Sequence, residues 1–162
     1  MKKQQFIFEW QVIQAIDDLP EVDRTLLEHA HIARNDAYSP YSRFKVGAAL
    51  LLSDGTIVKG NNQENMAYPS GLCAERVAMF WAGANHSNKK ILAIAITASS
   101  VDFTTNQPVT PCGACRQAML EYEIKQLSPI KIIMQGAEGE IIIVDQIRDL
   151  LPLYFHEKRL GK

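Results

Sequence analysis

The chain has 162 residues, enough for one buried core and too few for two, so residues 1–162 are predicted to form a single domain. Its formal net charge of −1 gives no overall attraction for a polyanion, which argues against a nucleic-acid partner. No apolar run approaches the roughly 18 residues of a membrane-spanning helix, so no membrane partner is expected. Three cysteines, an odd number, argue against a disulfide framework and favour a cytoplasmic protein with reduced thiols.

The predicted elements come from hydrophobic periodicity, with Pro and Gly marking the breaks between them. In chain order they are helices over 6–17 and 22–37, strands over 44–52 and 56–60 joined by a tight turn, a helix over 72–84, a strand over 91–98, a helix over 115–122, strands over 130–134 and 140–144, and a short final helix. Asp145 is predicted to cap that last helix, which stops before Pro152. This order predicts an α/β fold, a three-layer α-β-α sandwich around a mixed sheet of about five strands, with residues 1–20 as an N-terminal extension.

All three cysteines lie in two short segments, and each is at the predicted N-terminus of a helix. The positive end of a helix lowers the pKa of a thiol and so favours the metal-binding thiolate. The two-residue gap between Cys112 and Cys115 puts both sulfurs on one side of a first helical turn. Together with Cys73 they would leave the fourth tetrahedral position of Zn²⁺ for water, a position that structural zinc sites fill with protein. Glu75, two residues from Cys73, adds the carboxylate that metal-activated hydrolysis needs.

Other interpretations of these cysteines are a structural zinc site, a redox pair or thiols that are simply buried. A redox pair at Cys112 and Cys115 would not explain the Cys73-x-Glu75 spacing. A closed structural site lacks a convincing fourth ligand, because none of the histidines has metal-ligand spacing to a cysteine. These histidines, each expected to lie at the surface, are His29, His31, His86 and His156.

The two cysteine segments resemble the signature of the zinc deaminases in its all-cysteine form. Within that superfamily the chain resembles the small cytidine deaminases, and the resemblance covers roughly residues 22–156. Beyond the cysteine segments it is carried by residues 37–50, 60–65 and 68–72, and by Leu150-Leu151-Pro152 followed by Phe155. The resemblance implies the cytidine deaminase-like fold. Four motifs in the same order make a chance match improbable.

The resemblance implies hydrolytic deamination of free cytidine and deoxycytidine to uridine and deoxyuridine, with zinc-activated hydroxide as the nucleophile and a role in pyrimidine salvage. It implies that Cys73, Cys112 and Cys115 hold the zinc. Glu75 would take the proton from water, deliver it to ring N3 and then assist the leaving ammonia. One carboxylate beside the metal suffices because it can carry the proton from water to N3.

The resemblance also implies which residues bind the substrate. Phe44 would pack against the pyrimidine ring, while Asn62 and Glu64 would hydrogen-bond the ribose 3′-hydroxyl. Ala74, Tyr68 and Phe155 complete the implied substrate-binding set. Because family members supply the positions of Tyr68 and Phe155 from neighbouring subunits, a homotetramer with shared active sites is implied.

Arginines near the cysteines have two interpretations. Three thiolates and a hydroxide around Zn²⁺ carry excess negative charge, which Arg76 and also Arg116 could offset together with the positive helix ends. A surface salt bridge is an equally good interpretation of Arg76 at this level. The extension through residue 20 and the longer loop over 99–110 depart from the shorter family members.

Three rival functions differ in what they require. A polynucleotide-editing deaminase needs a basic groove for the strand, and Glu64 at a 3′-hydroxyl would repel the next phosphate. A deaminase of a modified nucleoside antibiotic would share the zinc site, and Phe44 with Asn62-x-Glu64 favours plain cytidine over it. A structural zinc module would give Glu75 no purpose.

Overall fold

In the computed structural model, which describes residues 1–156, six strands and three helices follow one another in the order β-α-β-β-α-β-α-β-β. Their bounds are β1 Gln11–Ile13, α1 Glu21–Asn35, β2 Phe44–Leu52, β3 Ile57–Asn61, α2 Ala74–Asn85, β4 Ile91–Ser100, α3 Gly113–Gln126, β5 Lys131–Gln135 and β6 Ile141–Val144. Short 3-10 turns cover Ile16–Asp18, Tyr68–Ser70 and Ile147–Leu150. Within residues 1–156, none of the helices has the length and apolar character needed to span a bilayer.

The strands form one mixed sheet in the order β1-β6-β5-β4-β2-β3. β4 and β5 are parallel, and the other neighbouring pairs are antiparallel. Helix α1 packs on one face, and α2 and α3 lie together against the other. The predicted three-layer α/β sandwich is therefore confirmed.

The central strands are apolar almost throughout because both of their faces are covered. Along β2, Leu50 and Leu52 face α2 and α3, whereas Ala49 and Leu51 face α1. This alternation is the two-residue period of a strand applied to two buried faces. It explains why continuous apolar runs in the sequence predict β2 and β4 well.

The predicted helix over 6–17 is wrong. Gln11–Ile13 instead forms β1, which pairs antiparallel with β6 and places Val12 opposite Ile142. A short apolar run is compatible with either period, and the free edge of β6 decides between them by offering backbone hydrogen bonds. The N-terminal extension thus adds a sixth strand where about five were expected.

Two other elements differ from the prediction. Helix α3 is longer than 115–122 because it starts at Gly113 and runs to Gln126, whose side chain bonds both the amide and the carbonyl of Ile91. The last helix is a single 3-10 turn whose N-cap is Gln146, with no side-chain hydrogen bond at the cap. Asp145 therefore does not cap it.

Glu123 on α3 is buried and organises the C-terminal part of the sheet. Its carboxylate accepts hydrogen bonds from the amides of Ile130 at 3.0 Å, Ile147 at 2.7 Å and Arg148 at 3.3 Å. We expect Glu123→Ala to lower the free energy of unfolding by about 3 kcal/mol, because it leaves buried amides without acceptors. Urea unfolding measures this change.

The matched control is Glu121→Ala, an exposed glutamate on the same helix. It should change the free energy of unfolding by no more than about 0.5 kcal/mol. Equal effects of the two substitutions would contradict the structural role of Glu123.

Candidate active site

A cavity of about 500 Å³ opens where the start of β2 meets the N-termini of α2 and α3. Its walls include aromatic and aliphatic side chains as well as the polar segment that follows β3. The lining residues that matter below are Phe44, Asn62, Glu64, Tyr68, Cys73, Glu75 and Cys112. A mostly apolar wall with a few convergent polar groups is typical of a small-molecule site.

The three cysteine sulfurs meet beside this cavity, and Cys73 and Cys112 form part of its wall. Cys73 is the N-cap of α2, Cys112 is the N-cap of α3, and Cys115 lies in the first turn of α3. The three Sγ atoms all lie within 4.8 Å of one another. Zn–S bonds of about 2.3 Å at tetrahedral angles require sulfurs about 3.8 Å apart, so this donor set fits zinc.

Two of the thiols, those of Cys73 and Cys115, interact through a hydrogen bond. A hydrogen bond from Cys115, together with the nearby Arg76, lowers the pKa of Cys73 to about 5 against the opposing effect of burial. The pKa of Cys115 is raised, because that thiol holds the shared proton beside Cys73 and is buried. The pair therefore carries negative charge at neutral pH, which attracts a cation.

Glu75 lies in the first turn of α2, two residues after Cys73, and lines the cavity although it is only 4% exposed. Burial raises the pKa of its carboxyl, and the charge on Cys73 raises it further. A carboxyl group with a raised pKa, inside a cavity and beside a metal cluster, is suited to accept and return a proton.

The two arginines have different surroundings. The guanidinium of Arg76 donates to Cys73 Sγ at 3.7 Å, so it reaches the sulfur cluster. Arg116 does not: it donates to the carbonyls of Pro111 at 2.8 Å and Leu150 at 2.9 Å. Arg116 therefore makes no hydrogen bond to the sulfurs within the described residues, and its offset of thiolate charge stays a prediction.

The polar end of the cavity is built around Glu64. Its carboxylate accepts hydrogen bonds from the amides of Tyr41 at 2.9 Å and Ser42 at 3.3 Å, and from the Ser42 hydroxyl. Burial opposes ionisation here, but these hydrogen bonds outweigh it and lower the pKa of Glu64. Glu64 is therefore held as a carboxylate in one orientation.

Asn62 is fixed against β2 by both ends of its amide. Its Oδ1 accepts from the Val46 amide at 2.7 Å, and its Nδ2 donates to the Phe44 carbonyl at 2.9 Å. One Nδ2 hydrogen and one Oδ1 lone pair stay available for a ligand. Phe44 is half-buried beside it and also lines the cavity.

Of the remaining predicted substrate-binding residues, only Tyr68 lines the cavity of its own chain. Tyr68 lines the cavity, with its ring in edge contact with Tyr41 at 6.3 Å between centroids. Ala74 is fully buried at the start of α2 and is not among the residues that line the cavity. Phe155 does not line the cavity of its own chain; Gln117 holds the Phe155 backbone against α3 through two hydrogen bonds.

Sequence reasoning missed several residues that shape this site. Ser42 and Tyr41 orient Glu64, and Thr110 lines the cavity near Cys112. Ser42 and Tyr41 lie in the loop before β2. The signal available in the sequence was that this loop is rich in hydrogen-bonding residues, and only the structure brings it close to Glu64. The four histidines are half-buried rather than exposed, and none is among the residues lining this cavity in the described part of the chain.

Comparison with known proteins identifies the family. Residues 20–130 match the family model described as the cytidine and deoxycytidylate deaminase zinc-binding region. The chain belongs to the cytidine and deoxycytidylate deaminase family. Accordingly, this zinc-dependent deaminase has Zn²⁺ as its cofactor, and the three-sulfur cluster is positioned to hold it.

Relatives of this deaminase support the assignment. A cytidine deaminase of Halalkalibacterium halodurans is 43% identical over 129 residues, which cover 78% of this chain and 89% of the relative. A crystal structure of cytidine deaminase from Burkholderia pseudomallei superposes with a TM-score of 0.70 at 39% identity, covering 81% of this chain and 97% of that one. A cytidine deaminase structure from Mycobacterium tuberculosis gives 0.60 at 36% identity, covering 82% and 95%.

Proposed function

We propose that this deaminase hydrolyses free cytidine and deoxycytidine to uridine and deoxyuridine, as a step of pyrimidine salvage. The observation that carries the proposal is the meeting, in one cavity, of a three-sulfur zinc site, the buried carboxylate of Glu75 and the polar pair Asn62 and Glu64. Zinc and Glu75 provide the chemistry, and the polar pair provides groups for a sugar. Relatives at 43% and 41% identity are cytidine deaminases.

One group of residues would hold the zinc ion and balance the charge around it. When held by Cys73, Cys112 and Cys115, zinc lowers the pKa of a water molecule towards neutrality and supplies a nucleophile. The helix N-termini that carry these cysteines offset part of the negative charge of the sulfurs. Arg76, which donates to Cys73, offsets more of it.

Glu75 moves the protons. Its carboxylate takes the proton given up by water and delivers it to ring N3, where negative charge builds as C4 is attacked. The same carboxylate then takes the proton of the new C4 hydroxyl and passes it to the amino nitrogen, so that the C4–N bond breaks, ammonia leaves as a neutral molecule and the C4 carbonyl forms. Its burial beside the sulfurs keeps this proton from bulk water.

The opposite end of the cavity fits a nucleoside sugar. The Glu64 carboxylate, oriented by Ser42 and Tyr41, accepts a hydrogen bond from the 3′-hydroxyl, and Asn62 offers its free amide hydrogen. Phe44 packs against the pyrimidine ring between sugar and metal. A phosphate in place of the 3′-hydroxyl proton would meet the Glu64 carboxylate, which disfavours nucleic acid as substrate.

We further propose a homotetramer with shared active sites in the cytoplasm, built from a single domain over residues 1–162. Phe155 is 60% exposed and lies outside its own cavity, as expected of a ring that enters a neighbouring subunit's site. Tyr68, 79% exposed at the rim, fits the same role. Reduced thiols at the metal site suit a reducing compartment.

Cytidine and cytidine 3′-monophosphate test the proposed substrate class. We expect both cytidine and deoxycytidine to be deaminated, and kcat/KM for the 3′-phosphate to be at least about 100-fold lower, because two like charges would meet at Glu64. In Glu64→Gln the ratio between cytidine and its 3′-phosphate should shrink at least about tenfold. Absorbance loss of the cytosine ring measures the rates.

The exposed Glu138→Gln is the matched control and should leave the ratio unchanged. Equal turnover of cytidine and its 3′-phosphate by the unaltered protein would overturn the nucleoside assignment. Deamination of a cytosine-containing single-stranded oligonucleotide would favour the polynucleotide rival.

A further inference from the structure

The longer loop between β4 and α3 contacts the residue proposed to hold the pyrimidine. Near the start of this loop, the ring of Phe103 stacks on the ring of Phe44, with centroids 6.0 Å apart and planes inclined by 19°. Phe44 lines the substrate cavity, while Phe103 lies outside it with 59% of its surface exposed. Phe103 is therefore a second aromatic layer behind Phe44.

The two loop residues before Phe103, Val101 and Asp102, contact Arg43, the residue that precedes Phe44. Arg43 has a φ of 55°, in the left-handed region that residues other than glycine rarely adopt. Its carbonyl accepts a hydrogen bond from the Val101 amide at 3.4 Å, and its guanidinium pairs with Asp102 at 3.0 Å. Three consecutive loop residues thus contact Arg43 or Phe44, which fixes the start of β2 where the cavity begins.

The loop is anchored to the sheet just after Phe103. The Thr105 hydroxyl donates to the Ala98 carbonyl at 3.1 Å, and the Thr105 carbonyl accepts from the Ala137 amide at 2.6 Å. The loop passes so close to the β5–β6 turn that a Cβ on Gly136 would collide with the Thr105 carbonyl, and one on Gly139 with the Asn106 carbonyl. Phe103 therefore extends from a fixed base.

We propose that Phe103 positions the Phe44 ring for the substrate base by stacking on it. The inference rests on the proposed role of Phe44 in binding the pyrimidine. Phe103 does not enter the cavity, so it acts through Phe44: stacking limits the orientations of a half-buried ring and prepares it for the base.

This role predicts an effect on binding and little on chemistry. We expect Phe103→Ala to raise KM for cytidine about three- to tenfold, the effect of losing one aromatic pair, while kcat stays within about twofold. Phe103→Tyr, which keeps the ring, should restore KM. Because the Phe103 side chain is mostly exposed, thermal unfolding should be unchanged in both variants.

Val101→Ala is the matched control: it shortens another exposed apolar side chain of the same segment and keeps the backbone hydrogen bond to Arg43. It should leave KM within about twofold. A rise in KM as large as that of Phe103→Ala would overturn a role for stacking and indicate general loosening of the loop. Unchanged KM in Phe103→Ala would overturn the proposal directly.

A double-mutant cycle separates this proposal from the role of Phe44 itself. Phe44→Ala should raise KM, and adding Phe103→Ala to it should have no further effect, because the ring on which Phe103 acts is gone. If Phe44→Ala leaves KM unchanged, the proposed role of Phe44 fails. If Phe44→Ala raises KM and the two effects simply multiply, the role of Phe44 stands and positioning by Phe103 is overturned.

Discussion

Glu75→Gln will lower kcat for cytidine by about 10⁴-fold, the upper end of what a positioned general acid–base group contributes. The loss is large because the single carboxylate serves every proton transfer, from water to N3 and from the new C4 hydroxyl to the amino group. Glutamine keeps the shape of the buried side chain, so the sulfur cluster and the fold stay intact. Turnover is followed by cytosine absorbance and metal content by elemental analysis.

Zinc binding and substrate binding should both survive the Glu75→Gln substitution. Glu75→Gln should retain about one zinc per chain, since the three sulfurs complete the protein's share of the metal site. KM should change far less than kcat, because Glu75 acts on the transition state rather than on the sugar. The exposed Glu121→Gln is the control and should leave kcat unaltered. Near-normal deamination by Glu75→Gln would refute the proton-carrier role.

The second large effect concerns the metal. Cys115→Ala removes the ligand that is fully buried, and two sulfurs are too few to hold zinc in place. We expect zinc content to fall below about 0.1 per chain and deamination to become undetectable. The thermal midpoint should also fall, because zinc bound by Cys73, Cys112 and Cys115 joins α2 to α3 only in the folded state.

A histidine substitution provides the control for metal loss. His86→Ala lies at the end of α2, opposite the end that carries Cys73, and should keep both zinc and activity. Because the chain has no fourth cysteine, no other thiol can replace Cys115. Full zinc retention by Cys115→Ala would show that the metal uses a different ligand set.

The metal site could be predicted from sequence because it depends on local features. Cys73 and Cys112 are helix N-caps and Cys115 lies one turn further, so spacing alone places two of the sulfurs together. The fold class was equally accessible, since central strands buried on both faces leave long apolar runs such as β2. The metal site and the fold class could both be predicted because each depends on residues that are close together in the sequence.

Features that depend on distant partners were not accessible. The residues of β1 carry helical spacing, and only the edge of β6 makes them a strand. Arg116 lies one residue from a metal ligand, yet its donors are taken by Pro111 and Leu150. The stacking of Phe103 on Phe44 joins positions far apart in the chain, and no local pattern marks it.

The most direct test of the zinc-and-glutamate site is a zinc titration of metal-free protein with cytidine present. We expect no absorbance loss without metal, then a rate that rises linearly and reaches its plateau at about one zinc per chain. The same titration of Glu75→Gln should bind zinc with the same stoichiometry and stay inactive. Cytidine deamination by the metal-free protein, or a plateau that does not follow zinc, would contradict a site built from three sulfurs and Glu75.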